Sequence, residues 1–348
     1  MYQLGMRPKK NPQKVIRATL GKGLPFSFVS LCLVLLIFLS PASLRAEELK
    51  KISFVPQWVP QAQFAGYYVA ADLGIYRKYG LDVEILPGGP EVSPAELLKA
   101  HKATFANMGL NTAIQEFAES GAIVNIAQIV KRSALMFVAK KTSGIKNIQD
   151  INHRKVGVWN GVSQVQSLSF LKKHSLTAQV VPQSSSLNLF LRGAVDVASA
   201  MWYNEYYMLL DSGYDPEDLV SFFFFNEPGL NFPEDGIYTL AQTFNDDPAL
   251  CCAFARATIE GWSYAFSHPQ EALGIVLGYM RKAHIPASPL HQKWMLERMR
   301  DIILSDGTDK ITGDLSVADY QRVASSLREF GFIKEAPDFN VFTKRCVQ

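Results

Sequence analysis

A short segment near residue 60 gathers side chains that could hold a flat, polar molecule. It follows the apolar run 52–55, which ends at Pro56, and its candidate residues are Trp58, Gln61, Gln63, Phe64 and Tyr67. Aromatic rings stack on flat heterocycles, and amide groups supply both hydrogen-bond donors and acceptors. Because open α/β sheets bind ligands at the carboxyl ends of their strands, the position after a strand favours a binding role. The three rings could equally be core residues, and this segment alone does not decide between the two.

Further candidates lie at later strand ends and in nearby loops. They are Gly89, Asn107, Trp159, Gly161, Tyr203, Asn204, Glu205 and Asp235. Glu205 follows the apolar strand that ends at Met201 and could accept a charge-assisted hydrogen bond from a ring N–H or an amino group. It could also be only a partner of the helix dipole. The Gly88-Gly89 turn lacks the Lys-Ser/Thr ending of a phosphate-binding loop.

The sequence offers little for catalysis or metal binding. The six histidines show no metal-ligand spacing, and no serine lies in a nucleophile-elbow pattern. We therefore expect no catalytic residue, no metal and no cofactor. Once the first 46 residues, which contain Cys32, are set aside, Cys251, Cys252 and Cys346 remain, and this odd number predicts no disulfide framework. A bridge from Cys346 to one of the adjacent pair is the alternative if the compartment is oxidising.

The first 46 residues have the composition of an export signal. Seven basic residues and no acidic ones occur there, and the run 24–39 is almost entirely apolar before the chain reaches Ala46. This pattern predicts a signal peptide over residues 1–46, with an uncleaved N-terminal anchor as the alternative. Removing seven positive charges changes the formal net charge from +3 to −4. No basic run is interleaved with aromatic residues, so nucleic acid is not an expected partner.

From Ile52 onwards, short strands and helices alternate, which predicts parallel α/β layers. The segments 101–121 and 192–213 share one layout: a small residue, an apolar strand, polar residues, a helix and a Ser-Gly stop. Two such units predict two similar lobes, since a solenoid needs at least three repeats. After residue 236, four helices are predicted, over 249–266, 269–281, 289–303 and 316–330.

Five stretches resemble type II periplasmic solute-binding proteins. They are similar to the family that holds thiamine-pyrimidine-precursor receptors and fungal hydroxymethylpyrimidine synthases, and they cover 57–90, 103–121, 151–159, 201–207 and 231–239. The resemblance implies a two-lobed α/β fold of the periplasmic-binding-protein type II class. Lobe I would comprise residues 47–139 and 238–348, and lobe II residues 140–237. Two crossovers, near Lys140 and near residues 235–238, would join them. Asp235 could contact the ligand, brace the hinge, or only cap or turn the crossover.

The same resemblance implies a function. We expect a monomeric periplasmic receptor that closes over a small planar nitrogen heterocycle, such as a thiamine pyrimidine precursor. The receptor would deliver this ligand to the permease and ATPase of an ABC importer. A pyrimidine-forming enzyme that uses iron and consumes a histidine is one alternative, and a sensor for a membrane signalling partner is another. The chain departs from the family pattern at Gln63-Phe64, where relatives carry an Asn-His type pair.

Overall fold

The computed structural model describes residues 48–305 and 307–346, so the expected signal peptide lies outside the described residues. Its strands are β1 (Lys50–Val55), β2 (Leu81–Ile85), β3 (Phe105–Gly109), β4 (Ile123–Gln128), β5 (Leu135–Lys140), β6 (Lys155–Trp159), β7 (Gln179–Gln183), β8 (Val197–Met201), β9 (Leu219–Phe223) and β10 (Asp235–Leu240). Its helices are α1 (Ala65–Asp72), α2 (Ile75–Lys78), α3 (Pro94–Lys99), α4 (Leu110–Ser120), α5 (Val165–Lys173), α6 (Asn188–Leu191), α7 (Glu205–Asp211), α8 (Ala241–Asp246), α9 (Pro248–Ser267), α10 (Pro269–Lys282), α11 (Pro289–Ile303), α12 (Val317–Glu329) and α13 (Phe339–Phe342). Among the helices of this described part, none combines the length and apolarity needed to cross a bilayer.

The strands form two five-stranded sheets with the same layout. The first sheet has the order β2-β1-β3-β10-β4 and the second the order β7-β6-β8-β5-β9. In each sheet the strand in fourth position, β10 or β5, runs antiparallel to both of its neighbours. The repeated order confirms the predicted two-lobed α/β fold. The expectation of purely parallel layers is wrong for these two strands.

The antiparallel strands also shift the lobe boundaries that the resemblance implies. β5 pairs with β8 and β9, so it belongs to the second sheet rather than to a first lobe that ends at residue 139. β10 begins at Asp235 and pairs with β3 and β4, so the return to the first lobe precedes residue 238. The chain leaves each sheet at the carboxyl end of its parallel strands and enters the other sheet at the matching edge. The entering strand must therefore run in the opposite direction.

The two crossovers, residues 129–134 and 231–234, lie side by side. Ile129 N and Val130 N both donate to Asp235 O, at 3.1 and 2.9 Å, and Glu234 N donates to Val130 O at 3.0 Å. Because each crossover satisfies backbone groups of the other, a rotation of one lobe must bend both together. We call this pair of segments the hinge.

The helices after β10 pack mainly on the first lobe, where α9 lies unusually close to α1. A Cβ atom on Gly261 would lie 2.2 Å from the carbonyl oxygen of Gly66, and one on Gly66 would lie 2.2 Å from Trp262 Cγ. Both positions therefore require glycine for steric reasons. The close contact fixes α1 directly after the segment that carries Gln61 and Gln63.

Replacing Gly261 with alanine should destabilise the protein by about 1–3 kcal/mol, because α9 must move away from the Gly66 backbone. Gly274→Ala is the matched control, since a Cβ on this α10 residue would meet no atom within 4 Å. Better helix propensity should make the control neutral or stabilising by up to about 1 kcal/mol. Urea unfolding of both variants measures the difference, and equal midpoints would show that the close contact is not needed.

Most predicted elements appear within a few residues of their expected bounds, and two expectations are corrected. The sequence also predicts a single helix over 68–79 that ends at Gly80. The structure divides it, because Gly74 adopts a left-handed conformation with φ of 69° between α1 and α2. The expectation of no disulfide is also wrong. Cys252 on α9 bonds to Cys346, with their Cα atoms 4.6 Å apart, while Cys251 is free and buried. Adjacent helical residues point about 100° apart, so only one of the pair can face the C-terminal segment.

Candidate functional site

A cavity of about 410 Å³ lies between the two sheets, a volume suited to a small molecule. First-lobe residues line one side of it: Gln57, Trp58, Gln61 and Gln63. Second-lobe residues line the other: Trp159, Asn160, Ser163, Gln183, Ser184, Ser185, Met201, Tyr203, Asn204 and Glu205. A smaller cavity of about 130 Å³ shares several of these residues and extends to Glu234 and Asp235 at the hinge.

Strand ends place these side chains. β1 ends at Val55 just before Gln57 and Trp58, β6 ends at Trp159, and β8 ends at Met201. All three strands are parallel members of their sheets, so their carboxyl ends meet at the cavity. The two tryptophans thus reach the cavity from opposite lobes.

The structure brings most of the predicted site residues to this region. Those lining the larger cavity are Trp58, Gln61, Gln63, Trp159, Tyr203, Asn204 and Glu205, and Asp235 lines the adjoining one. The predicted residues that line neither cavity are Phe64, Tyr67, Gly89, Asn107 and Gly161.

Three of those five are packing residues. Phe64 is fully buried in the first-lobe core. Tyr67 stacks on Phe54 with ring centroids 4.4 Å apart, and its hydroxyl accepts a 3.3 Å hydrogen bond from Asn107 Nδ2. The one-turn 3₁₀ segment at residues 62–64 rotates Phe64 away from the cavity, and α1 carries Tyr67 into the core.

Of the two predicted glycines, only Gly161 has a backbone conformation that favours glycine. Gly161 adopts a φ of 66° in the turn after β6, with open space where a Cβ would lie. Gly88, rather than Gly89, makes the tight contact, because a Cβ there would lie 2.2 Å from Pro56 O. The glycine turn therefore supports the backbone that leads to Trp58.

Sequence reasoning missed several lining residues, of which Gln57 and Gln183 are the most informative. Gln57 directly follows the Pro56 that ends β1, so strand-end logic could have included it. Gln183 ends β7, and its amide exchanges hydrogen bonds with the Ser199 backbone at 2.8 and 3.2 Å. No signal in the sequence indicated that pairing.

Glu205 is the acidic group of the second-lobe wall. It is 6% exposed; its Oε2 accepts from Met201 N at 2.9 Å and its Oε1 from Asn204 Nδ2 at 2.8 Å. Burial raises the pKa of its carboxyl group, and hydrogen bonds from Met201 N, its own N–H and Asn204 oppose that rise. A carboxylate has about four lone-pair positions, so room remains for one donor from the cavity.

Asp235 organises the polar groups of the first-lobe wall. Its Oδ1 accepts from Gln57 Nε2 at 2.6 Å and its Oδ2 from Gln63 Nε2 at 2.9 Å. Gln61 Nε2 in turn donates to Gln63 Oε1 at 2.7 Å. We call Gln57, Gln61, Gln63 and Asp235 the amide network.

Glu234, next to Asp235, braces the hinge. Its Oε1 accepts from Ala134 N at 2.5 Å and from Ser133 Oγ at 3.1 Å. Burial, and then the neighbouring charge of Asp235, raise the pKa of Glu234 to about 8. The hinge therefore contains a carboxyl group that holds its proton near neutral pH.

This raised pKa predicts a pH dependence of stability. Between pH 4.5 and about 8, the folded state keeps the Glu234 proton that the unfolded chain has released, so stability should fall as pH rises. The slope from this group is at most about 1.4 kcal/mol per pH unit. Glu234→Gln should flatten the slope measured by urea unfolding across this range. Asp150→Asn, at an exposed carboxylate whose pKa is lowered, should leave it unchanged.

The lobes also touch beside the cavity. Trp294 Nε1 on α11 donates to Trp202 O of the second lobe at 3.0 Å. The Arg298 guanidinium lies 4.8 Å from the Trp202 ring and 4.6 Å from the Trp294 ring. A second contact joins the lobes where Asn111 Nδ2 donates to Val162 O at 3.2 Å. The structure therefore has its two lobes in contact at more than one place.

No group of three or more His, Cys, Asp or Glu side chains in the described ranges 48–305 and 307–346 is arranged to hold a metal ion. Within those ranges, neither cavity is lined by a Lys, Arg or His side chain. Amides, hydroxyls, carboxylates and aromatic rings supply the available chemistry. Such a site is suited to hydrogen-bond and stacking contacts with a neutral or cationic molecule.

Comparisons with known proteins identify a matching family profile and several relatives of this chain. The family profile described as NMT1/THI5 like matches residues 61–272. A thiamine biosynthesis protein of Haemophilus influenzae is 25% identical over 70% of this chain and 77% of its own length. The riboflavin-binding protein RibY of Chloroflexus aurantiacus is 21% identical over 75% of each chain. A formylaminopyrimidine-binding protein of Halalkalibacterium halodurans is 24% identical over 75% of this chain and 81% of its own.

The solved structures show the same fold. The periplasmic aliphatic sulphonate binding protein SsuA from Escherichia coli superimposes with a TM-score of 0.67. It is 14% identical and covers 86% of this chain and 93% of its own. This likeness supports the periplasmic-binding-protein fold and says nothing of the ligand.

Proposed function

Because this chain belongs to the NMT1/THI5-like family, we propose that it is an extracytoplasmic solute-binding protein that captures a small planar nitrogen heterocycle. The observation that carries the proposal is the cavity between the lobes, with a tryptophan from each lobe and a buried glutamate on its wall. Stacking against one ring contributes roughly 0.5–1.5 kcal/mol beyond area burial. The glutamate would accept a hydrogen bond from a ring N–H or an amino group.

The charge of the cavity favours a heterocycle over a sulfonate. Its described lining contains Glu205, with Glu234 and Asp235 in the adjoining cavity, and no cationic side chain. An anionic sulfonate would meet carboxylates without a compensating cation, which is costly in a buried site. Relatives named for riboflavin and for a formylaminopyrimidine support a nitrogen heterocycle.

Capture would proceed by hinge closure. The hinge joins the lobes through paired backbone segments, and the lobes already meet through Trp202, Arg298 and Trp294. Opening would separate those rings while the hinge bends, and closing would bury the ligand. No catalytic step is needed for this role.

The composition of residues 1–46, the family and the fold support the remaining roles that we propose. Residues 1–46 would direct export to the periplasm, and the permease and ATPase of an ABC importer would receive the ligand from the closed, monomeric receptor. A thiamine pyrimidine precursor is the ligand type we propose.

A ligand panel tests this function. Purified protein would be heated with an aminohydroxymethylpyrimidine, a formylaminopyrimidine, riboflavin and, as a control, the sulfonate buffer MOPS. Ligand present at about 100 times its Kd should raise Tm by about 5 °C. A heterocycle should give this shift and MOPS should not. A rise in Tm with MOPS alone would contradict the proposal. So would the absence of any rise in Tm with the heterocycles. Native mass spectrometry of freshly purified protein would identify any ligand retained from the cell.

A further inference from the structure

The hydrogen bonds of the amide network determine which way each glutamine side-chain amide is turned, that is, where its nitrogen and its oxygen lie. The backbone of Gly109 fixes the first of these amides. Gly109 N donates to Gln57 Oε1 at 3.1 Å. A backbone N–H can only donate, so the oxygen of Gln57 must face Gly109. The amide nitrogen of Gln57 must then face Asp235, as the 2.6 Å contact with Oδ1 shows.

Asp235 determines how the next amide in the network, that of Gln63, is oriented. The residue is 5% exposed, and its two carboxylate oxygens accept amide hydrogens from Gln57 and from Gln63. Burial raises the pKa of its carboxyl group, and hydrogen bonds from Gln63, Gln57 and Asn107 oppose that rise by favouring the ionised form. An ionised carboxylate has no hydrogen to donate, so Gln63 has to present its nitrogen to Oδ2. The oxygen of Gln63 is thereby turned towards Gln61.

Gln61 ends the network at the cavity. It donates through Nε2 to Gln63 Oε1 at 2.7 Å, which commits its nitrogen to the network. Its Oε1 accepts no hydrogen bond from another described residue and is not among the buried polar atoms that lack a partner. Gln61 lines the larger cavity. The carbonyl oxygen of Gln61 is therefore an acceptor that the first lobe can offer to a ligand.

We propose that Asp235 is a positioning residue that orients the amide network, so that Gln61 presents an acceptor and the site selects heterocycles with a hydrogen-bond donor facing it. Glu205 offers an acceptor from the other lobe. The preferred ligand then carries donors on two opposite edges, such as an amino group on one and a ring N–H or hydroxymethyl group on the other. This inference rests on the proposed function for its ligand, but the direction of the network does not.

Asp235→Asn should reverse the side-chain amides of Gln63 and Gln61. The single oxygen of the substituted side chain would face Gln57, whose nitrogen is held in place by Gly109. Its nitrogen would then donate to Gln63 Oε1, so that Gln63 and Gln61 both turn over. Gln61 would present its amide nitrogen to the cavity, and the site would favour an acceptor on the ligand.

Neutron diffraction of ligand-free crystals soaked in deuterium oxide tests the reversal directly. Deuterons on Gln61 and Gln63 should mark the nitrogen positions given above in the wild type. In Asp235→Asn they should occupy the opposite positions. Unchanged orientations in the variant would overturn the proposal, and this readout needs no ligand.

Calorimetry tests the consequence for selection. The probes are an aminohydroxymethylpyrimidine and the analogue in which methoxy replaces the amino group. The wild type should prefer the amino compound at least about tenfold, the cost of leaving a buried acceptor unpaired. Asp235→Asn should lower that ratio at least about tenfold, whereas a merely structural defect would weaken both probes alike and leave the ratio intact.

Two further variants complete the test. Asp247→Asn, a matched change at a helix cap outside both cavities, should keep the wild-type ratio. If Asp235→Asn does not fold, Gln63→Met interrupts the network and should bring the ratio to within about threefold of unity. An unchanged ratio in Gln63→Met would overturn the proposal. If the wild type binds neither probe, the proposed ligand class fails, while the neutron result still decides the direction of the network.

Discussion

Glu205→Gln should weaken binding of an aminopyrimidine or riboflavin by about 100-fold while leaving the fold intact. The variant keeps the size of the side chain, and its remaining oxygen can still accept from Met201 N. It loses the negative charge that makes a ligand N–H bond charge-assisted, and such bonds contribute about 1.5–3 kcal/mol. Isothermal calorimetry with whichever panel compound raises Tm measures the change.

Glu227→Gln is the matched control for that experiment. Glu227 pairs with Lys173 and His174 on the outside of the second lobe and lines neither cavity. The affinity of the Glu227→Gln protein for the same compound should stay within about twofold of that of the wild type, because substitutions on the surface usually have small effects. If Glu205→Gln bound equally well, Glu205 would be only a brace for the start of α7.

Loss of the Cys252–Cys346 bridge should cost about 4–5 kcal/mol of unfolding free energy. The bridge joins positions 94 residues apart, and closing so long a loop removes much entropy from the unfolded chain. The double variant Cys252→Ser, Cys346→Ser avoids an unpaired thiol and should unfold at a lower urea concentration.

Reduction supplies the internal check on the disulfide. Dithiothreitol should lower the urea midpoint of the wild type towards that of the double variant and should leave the double variant unchanged. Equal midpoints for oxidised wild type and double variant would mean that other contacts hold the C-terminal segment. Those contacts include the hydrogen bond from Lys344 N to Asn125 O.

Local sequence features predicted much of this fold and part of the site. Apolar runs that stop at Pro56, Trp159 and Met201 marked strand ends correctly, because strand length and turn residues are local properties. Side-chain direction was harder to predict. Phe64 and Gln63 are adjacent, and both were predicted to contact the ligand. A single 3₁₀ turn directs the Phe64 ring into the core and the Gln63 amide into the amide network.

Long-range pairings could not be predicted from one sequence. Gln57 and Asp235 are 178 residues apart, and their hydrogen bond exists only because β10 inserts beside β3. The contact of Arg298 with Trp202 likewise requires the lobes to meet. The disulfide was judged by cysteine count, whereas its formation depends on which helical face meets the C-terminal segment.

Because β10 lies between β3 and β4, the two sheets should form at different times during folding. All five strands of the second sheet come from one continuous stretch, residues 135–223, whereas the first sheet cannot join β4 to β3 until residues 235–240 arrive. Contacts between distant parts of a chain form slowly, so the second lobe should acquire its sheet first. Pulse-labelling hydrogen exchange during refolding should find β5, β6 and β8 protected before β3 and β4. A chain synthesised from its N-terminus would then have a complete second sheet while its first sheet still lacked β10, the strand that joins β3 to β4.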